Sequence, residues 1–244
     1  MEFICLAAGK GTRLGRLGDY LQKCMYPVGL KPFVEHTLGQ LVASRSARAG
    51  HDRITLVVGH HGEQVRRYFG GEFEGLTLEY VEQVQRLGTG HALDLAFQRL
   101  RPKESVVAWQ ADLFVTSSMF HRIGAHPAAN VVTLGPGHEE ESPVLRATVE
   151  GELVTRVWEG EGPLLDVGLW KLSPDVLGRI GERLSPGGEI RMLTNLQRCI
   201  DDGVAVGYVV TDEWIHLGGT LPSAEENVRR VVARIHEIVE APAG

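Results

Sequence analysis

A chain of 244 residues with 43% hydrophobic and 23% charged residues can bury one good core, enough for one large or two small domains, and nothing in it reads as a flexible linker. The net charge of −6 and a pI near 5.9 exclude the broad basic face of a nucleic-acid binder, so any positive charge that holds phosphate has to be local. No apolar run approaches the roughly 20 residues that span a bilayer, and three cysteines without a basic-then-apolar leader predict reduced thiols in a cytoplasmic protein.

The first predicted element is a buried strand, Phe3-Ile4-Cys5-Leu6-Ala7-Ala8, apolar throughout as a strand covered on both faces must be. It feeds the turn Gly9-Lys10-Gly11-Thr12-Arg13-Leu14. Glycines let backbone N–H groups approach an anion, and the arginine adds a forked donor, so the segment suits a polyphosphate. Two common phosphate motifs do not fit. A Walker A loop needs Gly-Lys-[Ser/Thr], but Lys10 is followed by Gly11, and a dinucleotide fingerprint needs a third glycine where Leu14 stands. Lys23 and Lys31 follow within Gln22-Lys23-Cys24-Met25-Tyr26-Pro27-Val28-Gly29-Leu30-Lys31-Pro32 and complete a local cationic set with Arg13.

Runs at 54–58, 76–81 and 106–109 read as further strands, and a helical stripe is clearest at Ala92, Leu93, Ala96, Phe97 and Leu100. His60-His61 follows one of these strands without a third metal ligand in sequence. Gln83 stands five residues before Gly88-Thr89-Gly90-His91-Ala92-Leu93, and Asp112 ends the run from Val106; alone, such an aspartate reads as a metal ligand or a helix N-cap. After about residue 131 the pattern turns to short alternating segments at 144–149, 153–157 and 164–170, which suggest an antiparallel flap. Helices near 174–184 and 193–202 and a last helix at about 223–239 follow, while His138-Glu139-Glu140-Glu141 reads as a solvated acidic loop.

Leu6-Ala7-Ala8-Gly9-Lys10-Gly11-Thr12-Arg13-Leu14 is similar to the signature of the sugar-phosphate nucleotidyltransferases. The likeness continues through the Gln22–Pro32 segment, where Gln22 replaces the family's usual proline, through Gln83 with its Gly88-Thr89-Gly90 turn, and to Asp112, four elements in the family's order. The resemblance implies α/β architecture: a Rossmann-like three-layer α/β/α mixed sheet, mostly parallel, with the flap serving the acceptor. One domain, 1–244, would comprise a nucleoside-triphosphate-binding core at 1–130, an acceptor-binding part at 131–215 and a C-terminal helix at 216–244, with no room for an added left-handed β-helix. The implied reaction transfers a nucleoside monophosphate from the triphosphate to a sugar 1-phosphate, giving a nucleotide sugar and pyrophosphate. A cytidylyltransferase for a non-sugar phosphate or phosphonate is the neighbouring alternative. A non-catalytic nucleotide-sugar-binding regulator is the other, motivated by His216 and Pro143 and opposed by Arg13, Lys23 and Asp112 together. The implied partners are the two substrates, with no nucleic acid and no membrane, and a homo-oligomer is left open.

Residue by residue, the resemblance makes Arg13 and Lys23 the catalytic cations. Leu6, Ala7, Ala8, Gly9, Lys10, Gly11, Thr12, Gln83, Gly88 and Thr89 would bind the nucleotide, with Gln83 on the base edge. Glu159, Asp166 and Gly168 would bind the acceptor, matching Glu-(Lys) and Asn-x-Gly-x-Tyr segments. Asp112 and His216 would hold Mg2+, although Trp214-Ile215-His216-Leu217-Gly218-Gly219-Thr220 places an imidazole where the family usually has a carboxylate or amide, which opens the site to Mn2+ or Co2+. Ser142-Pro143-Val144 falls where many members carry Tyr-Gly-Val, and Pro143 has no N–H to offer a sugar. Gly188-Glu189-Ile190-Arg191-Met192-Leu193-Thr194-Asn195 resembles another family stretch whose simplest role is to start a helix.

Overall fold

The computed structural model describes residues 1–136, 144–160, 162–182, 184, 187–217, 229 and 231–237. In chain order these form β1 (Glu2–Ala7), β2 (Pro27–Val28), β3 (Lys31–Pro32), α1 (Phe33–Ala43), β4 (Arg53–Val58), α2 (Gly62–Phe69), β5 (Glu72–Phe73), β6 (Leu76–Glu82) and α3 (Thr89–Leu100). Then come β7 (Val106–Gln110), β8 (Leu113–Val115), α4 (Ser117–Ala125), β9 (Val131–Pro136), β10 (Val144–Glu150), β11 (Leu153–Gly160), β12 (Leu164–Leu172), α5 (Pro174–Arg179), α6 (Met192–Asp201), β13 (Gly207–Val210) and β14 (Trp214–His216).

One face of β1 buries Phe3, Cys5 and Ala7 and the other Ile4, which is why its sequence shows no polar alternation. Helices α1, α2 and α4 pack their apolar stripes on the first face, and α3, α5 and α6 on the second. All three cysteines are buried and unpaired. Between the helical layers lies a ten-stranded sheet in the order β10-β11-β13-β9-β12-β7-β1-β4-β6-β5. The α/β/α mixed sheet expected from the sequence is therefore present, with one refinement. The antiparallel segments are built into this sheet, because β12 pairs antiparallel with both β7 and β9. Leu165, Val167 and Leu169 bury on one side of β12 and Trp170 and Leu172 on the other, so the strand needs cover on both faces and takes a central place.

The parallel half positions the site. β1 pairs with β4 on one side and β7 on the other, so strand order reverses at β1 and the loops leaving the three carboxyl ends diverge around a crevice. Helix α5 ends at Arg179, short of the expected 184. Residues 229 and 231–237 are helical, and Val231 and Ile235 bury against Phe33, Phe114 and Leu217; the rest of the expected last helix lies outside the described residues, as do 137–143.

Candidate active site

The crevice is a cavity of 710 Å3. Residues 6–12, Lys23, Gln83, Gly88, Thr89 and Asp112, all singled out in the sequence, line it together. Gly11 has φ +65°, and a Cβ there would come within 3.0 Å of the Lys23 Cβ, so this glycine supplies both the turn and the close approach of Lys23. The backbone of Arg13 lies in the 3-10 segment Thr12–Asp19; its side chain lies outside what is described. Lys31 does not join the cavity. It pairs with Glu35 at 3.1 Å on the first turn of α1.

Lys23 and Asp112 form an ion pair between Nζ and Oδ2 within the cavity. Burial pushes the Asp112 carboxyl up, but the Lys23 ammonium and then His216 outweigh that and hold it below the usual carboxylate range. His216 Nδ1 stands 3.9 Å from Asp112 Oδ1, and its Nε2 donates to the Val167 carbonyl at 2.8 Å. A carbonyl only accepts, so Nε2 carries a proton and Nδ1 is the nitrogen turned toward Asp112. Two donors about 2.1 Å from one cation lie at most about 4.2 Å apart, so Asp112 and His216 are close enough to share one. Among the described residues no group of three or more His, Cys, Asp or Glu is so arranged, and an ion here would take its remaining ligands from substrate and water.

Gln83 is 4% exposed. Its Nε2 donates to the Gly88 carbonyl at 3.0 Å and meets His91 Nδ1 at 3.1 Å, so the amide is oriented by α3 and its carbonyl oxygen is the atom left to read a ligand. Gly88 has φ +103°, and a Cβ would sit 2.8 Å from the Ile190 carbonyl oxygen. Only glycine lets the loop at 187–191 close over the start of α3 this tightly. Met192 N donates to Thr89 Oγ1 at 3.1 Å and Gly90 N to Ile190 O at 2.8 Å, stitching the same two segments.

Glu159, Asp166, Gly168 and His216 do not line the cavity; Glu159, Gly168 and His216 border it through other residues. Glu159 is ion-paired to Arg191, whose Nε donates to Glu189 at 3.1 Å, and Glu189 does line it. Gly168, at φ +93°, lets Gln110 approach to within 3.0 Å of where a Cβ would be, and Gln110 lines the cavity too. Asp166 Oδ1 accepts from Trp170 Nε1 at 2.8 Å while Oδ2 is buried without a partner. Burial pushes this carboxyl up to about 7 against the opposing bonds from Trp170 and the Gly168 backbone.

Sequence reasoning gave Gln110 no role, took Glu189 and Arg191 only as part of a family-like stretch that starts a helix, and treated Gln22 only as a replaced proline. Gln22 is 2% exposed and donates to the carbonyls of Ala7 (2.6 Å) and Gly9 (3.2 Å) while its Oε1 accepts from Cys24 N at 2.7 Å. A buried glutamine one residue before a catalytic-type lysine is the signal that was available. Cys24 also touches the cavity, but burial, reinforced by Asp112, pushes its thiol far up and makes it a poor nucleophile.

A family model described as the MobA-like NTP transferase domain matches residues 3–166. The chain belongs to this family. It is 27% identical over 251 residues to the bifunctional protein GlmU of Methanococcus maripaludis, which covers 98% of this chain and 57% of that protein. It is 32% identical over 155 residues to the CMP-5'-(3-aminopropyl)phosphonate synthase of Streptomyces rubellomurinus, covering 63% of this chain and 24% of that one. The chain thus spans little more than half, or less, of the length of the curated relatives it matches. In structure it resembles a UDP-glucose pyrophosphorylase from Acinetobacter baumannii, with a TM-score of 0.75 at 17% identity over 99% of this chain and 94% of that one. The family match over residues 3–166 runs from β1 into β12 of the sheet described above. No helix among the described residues is long and apolar enough to cross a membrane.

Proposed function

We propose that the chain transfers a nucleoside monophosphate from a nucleoside triphosphate to a sugar 1-phosphate. The observation that carries this reading is the cavity at the β1 switch point, with a glycine turn on one wall and the Lys23–Asp112 pair facing it. In the reaction an oxygen of the acceptor phosphate attacks the α-phosphorus, the new P–O bond forms, the bond to the β-phosphate oxygen breaks, and pyrophosphate leaves with that electron pair. Both reactants are anions, so the chain's task is alignment and charge stabilisation. The N–H groups of residues 9–12 would cradle the β- and γ-phosphates with Arg13, and Lys23 would hold the α-phosphate beside the incoming oxygen. Gln83 would accept from the base edge through its oriented carbonyl. Glu159, linked through Arg191 to Glu189, and Asp166 would take hydroxyls of the acceptor.

Asp112 and His216 fit a divalent cation by donor type and spacing, and would hold Mg2+, Mn2+ or Co2+. When bound, such an ion supplies a positive charge for phosphate oxygens. The three buried free thiols support a cytoplasmic location.

A second reading, transfer of a cytidylyl group to a phosphonate, is favoured by the identity to the phosphonate synthase. Pyrophosphate release across a panel of triphosphates, sugar 1-phosphates and aminoalkyl phosphonates, each with Mg2+, Mn2+ and Co2+, tests both. Turnover with at least one sugar 1-phosphate is expected. Turnover confined to a phosphonate selects the second reading, and tight nucleotide-sugar binding with no turnover selects a regulator.

A further inference from the structure

The segment at 12–22, whose ends Thr12 and Gln22 line the cavity, has little apolar anchoring: Leu14 is buried, but Leu17 and Tyr20 are exposed. Polar contacts from the loop between β4 and α2 and from the first turn of α2 hold it instead. His60 Nε2 donates to the Gly18 carbonyl at 2.8 Å, His61 Nε2 to the Asp19 carbonyl at 2.9 Å, and Gln64 Nε2 to the Tyr20 carbonyl at 2.8 Å. Gln22 N donates back to Gln64 Oε1 at 2.8 Å. The carbonyls fix a proton on each Nε2, so the two histidines that looked in sequence like a partial metal site are hydrogen-bond donors. His61 takes the left-handed conformation, φ 51°, which a non-glycine residue adopts only where its surroundings hold it.

These contacts reach the phosphate-binding backbone directly. Gly18 lies so close beneath the glycine turn that a Cβ on it would stand 2.8 Å from the Gly11 carbonyl oxygen and 3.2 Å from that of Lys10. Gln22 immediately precedes Lys23 and bonds the carbonyls of Ala7 and Gly9, and His60 N donates to Ala8 O at 3.3 Å. Displacing residues 18–22 would therefore displace both the turn and the lysine.

We propose that the β4–α2 loop and the first turn of α2 form a brace that holds the phosphate-binding segment in register, with His60, His61 and Gln64 as positioning residues that act through the backbone of residues 18–22. The significance for turnover rests on the nucleotidyltransferase reading; the brace itself does not. The test compares the full chain with a His60→Ala/His61→Ala variant, with Gln64→Ala, and with His60→Gln/His61→Gln, which keeps a terminal N–H donor at each position. The readouts are trypsin nicking at Arg13 and Arg16 under native conditions, with and without triphosphate, the melting temperature, and steady-state constants. Nicking in the alanine variants should accelerate about tenfold, the worth of one or two hydrogen bonds, at a melting temperature close to wild type, and the glutamine variant should be restored toward wild type. The KM for the triphosphate should rise by a similar factor with kcat less affected. Wild-type nicking and wild-type KM in the alanine variants overturn the brace. So does a lowered melting temperature without excess nicking at 12–22, which would make the histidines plain supports of α2. If the nicking contrast appears but no triphosphate protects even the wild type, the brace stands and the nucleotide reading falls.

Discussion

Lys23 and Asp112 are 89 positions apart in sequence yet share one ion pair, and that pairing changes what a substitution should do. Taken as an isolated loop cation, Lys23 would be removable without structural penalty. Its side chain is only 13% exposed and that of Asp112 22%, so Lys23→Ala strands a mostly buried carboxylate. The expected outcome is a fall in kcat of about 10² or more together with a loss of about 1–3 kcal/mol of stability. In Lys23→Ala/Asp112→Asn the stranded charge is gone, so the melting temperature should recover while turnover stays low. Turnover and thermal melts on the same preparations check this, and a double variant no more stable than the single one would show that the pair carries no structural weight.

At the scale of elements, α3 illustrates how a motif read for chemistry also serves packing. Gly90 sits in the first turn of α3, where alanine would ordinarily gain about 1 kcal/mol of helix propensity. Here a Cβ would stand 2.7 Å from the Ile180 carbonyl oxygen and 2.9 Å from that of Ile190. Overpacking against two backbone carbonyls costs about 1–3 kcal/mol, so the clash wins. Gly90→Ala should lower the urea midpoint and loosen the 187–191 loop, raising the KM for the acceptor more than that for the triphosphate; a gain in stability would show that the loop relaxes freely.

For the whole molecule, carboxyls shifted in opposite directions set opposite slopes of stability against pH. Asp166, pushed up to about 7 from an unfolded value near 3.9, binds its proton more tightly in the folded state, so its contribution falls as pH rises from about 4 to 7. Asp52 runs the other way. Burial raises its carboxyl, but the hydrogen bonds from Arg48 and the Met1 amine more than offset this, so its stabilisation is present above about pH 4 and is lost as pH falls further. Asp166→Asn should therefore gain on the wild type steadily between pH 4 and 8, by thermal melts across that range. Parallel curves would place the Asp166 carboxyl in contact with solvent.

The parallel half was legible because its signals are local. An unbroken apolar run means a strand covered on both faces, a glycine turn after it means close backbone approach, and residues 6–12, Gln83, Gly88, Thr89 and Asp112 sit at the ends of such elements and so converge. The sequence by itself thus determined the α/β class, the strand-to-turn corner and the identity of most cavity-lining positions. Where β12 lies was decided only by tertiary structure, since alternation cannot tell an edge flap from a central antiparallel strand when both faces find cover. The same holds for side chains whose partners are distant: Lys23 on Asp112, His216 turned toward it by the Val167 carbonyl, Glu159 on Arg191, and His60 and His61 on the loop at 18–19. Residue type states what each group can donate or accept, but which group it meets depends on how the strands are ordered, and that order follows from burying both faces of one sheet.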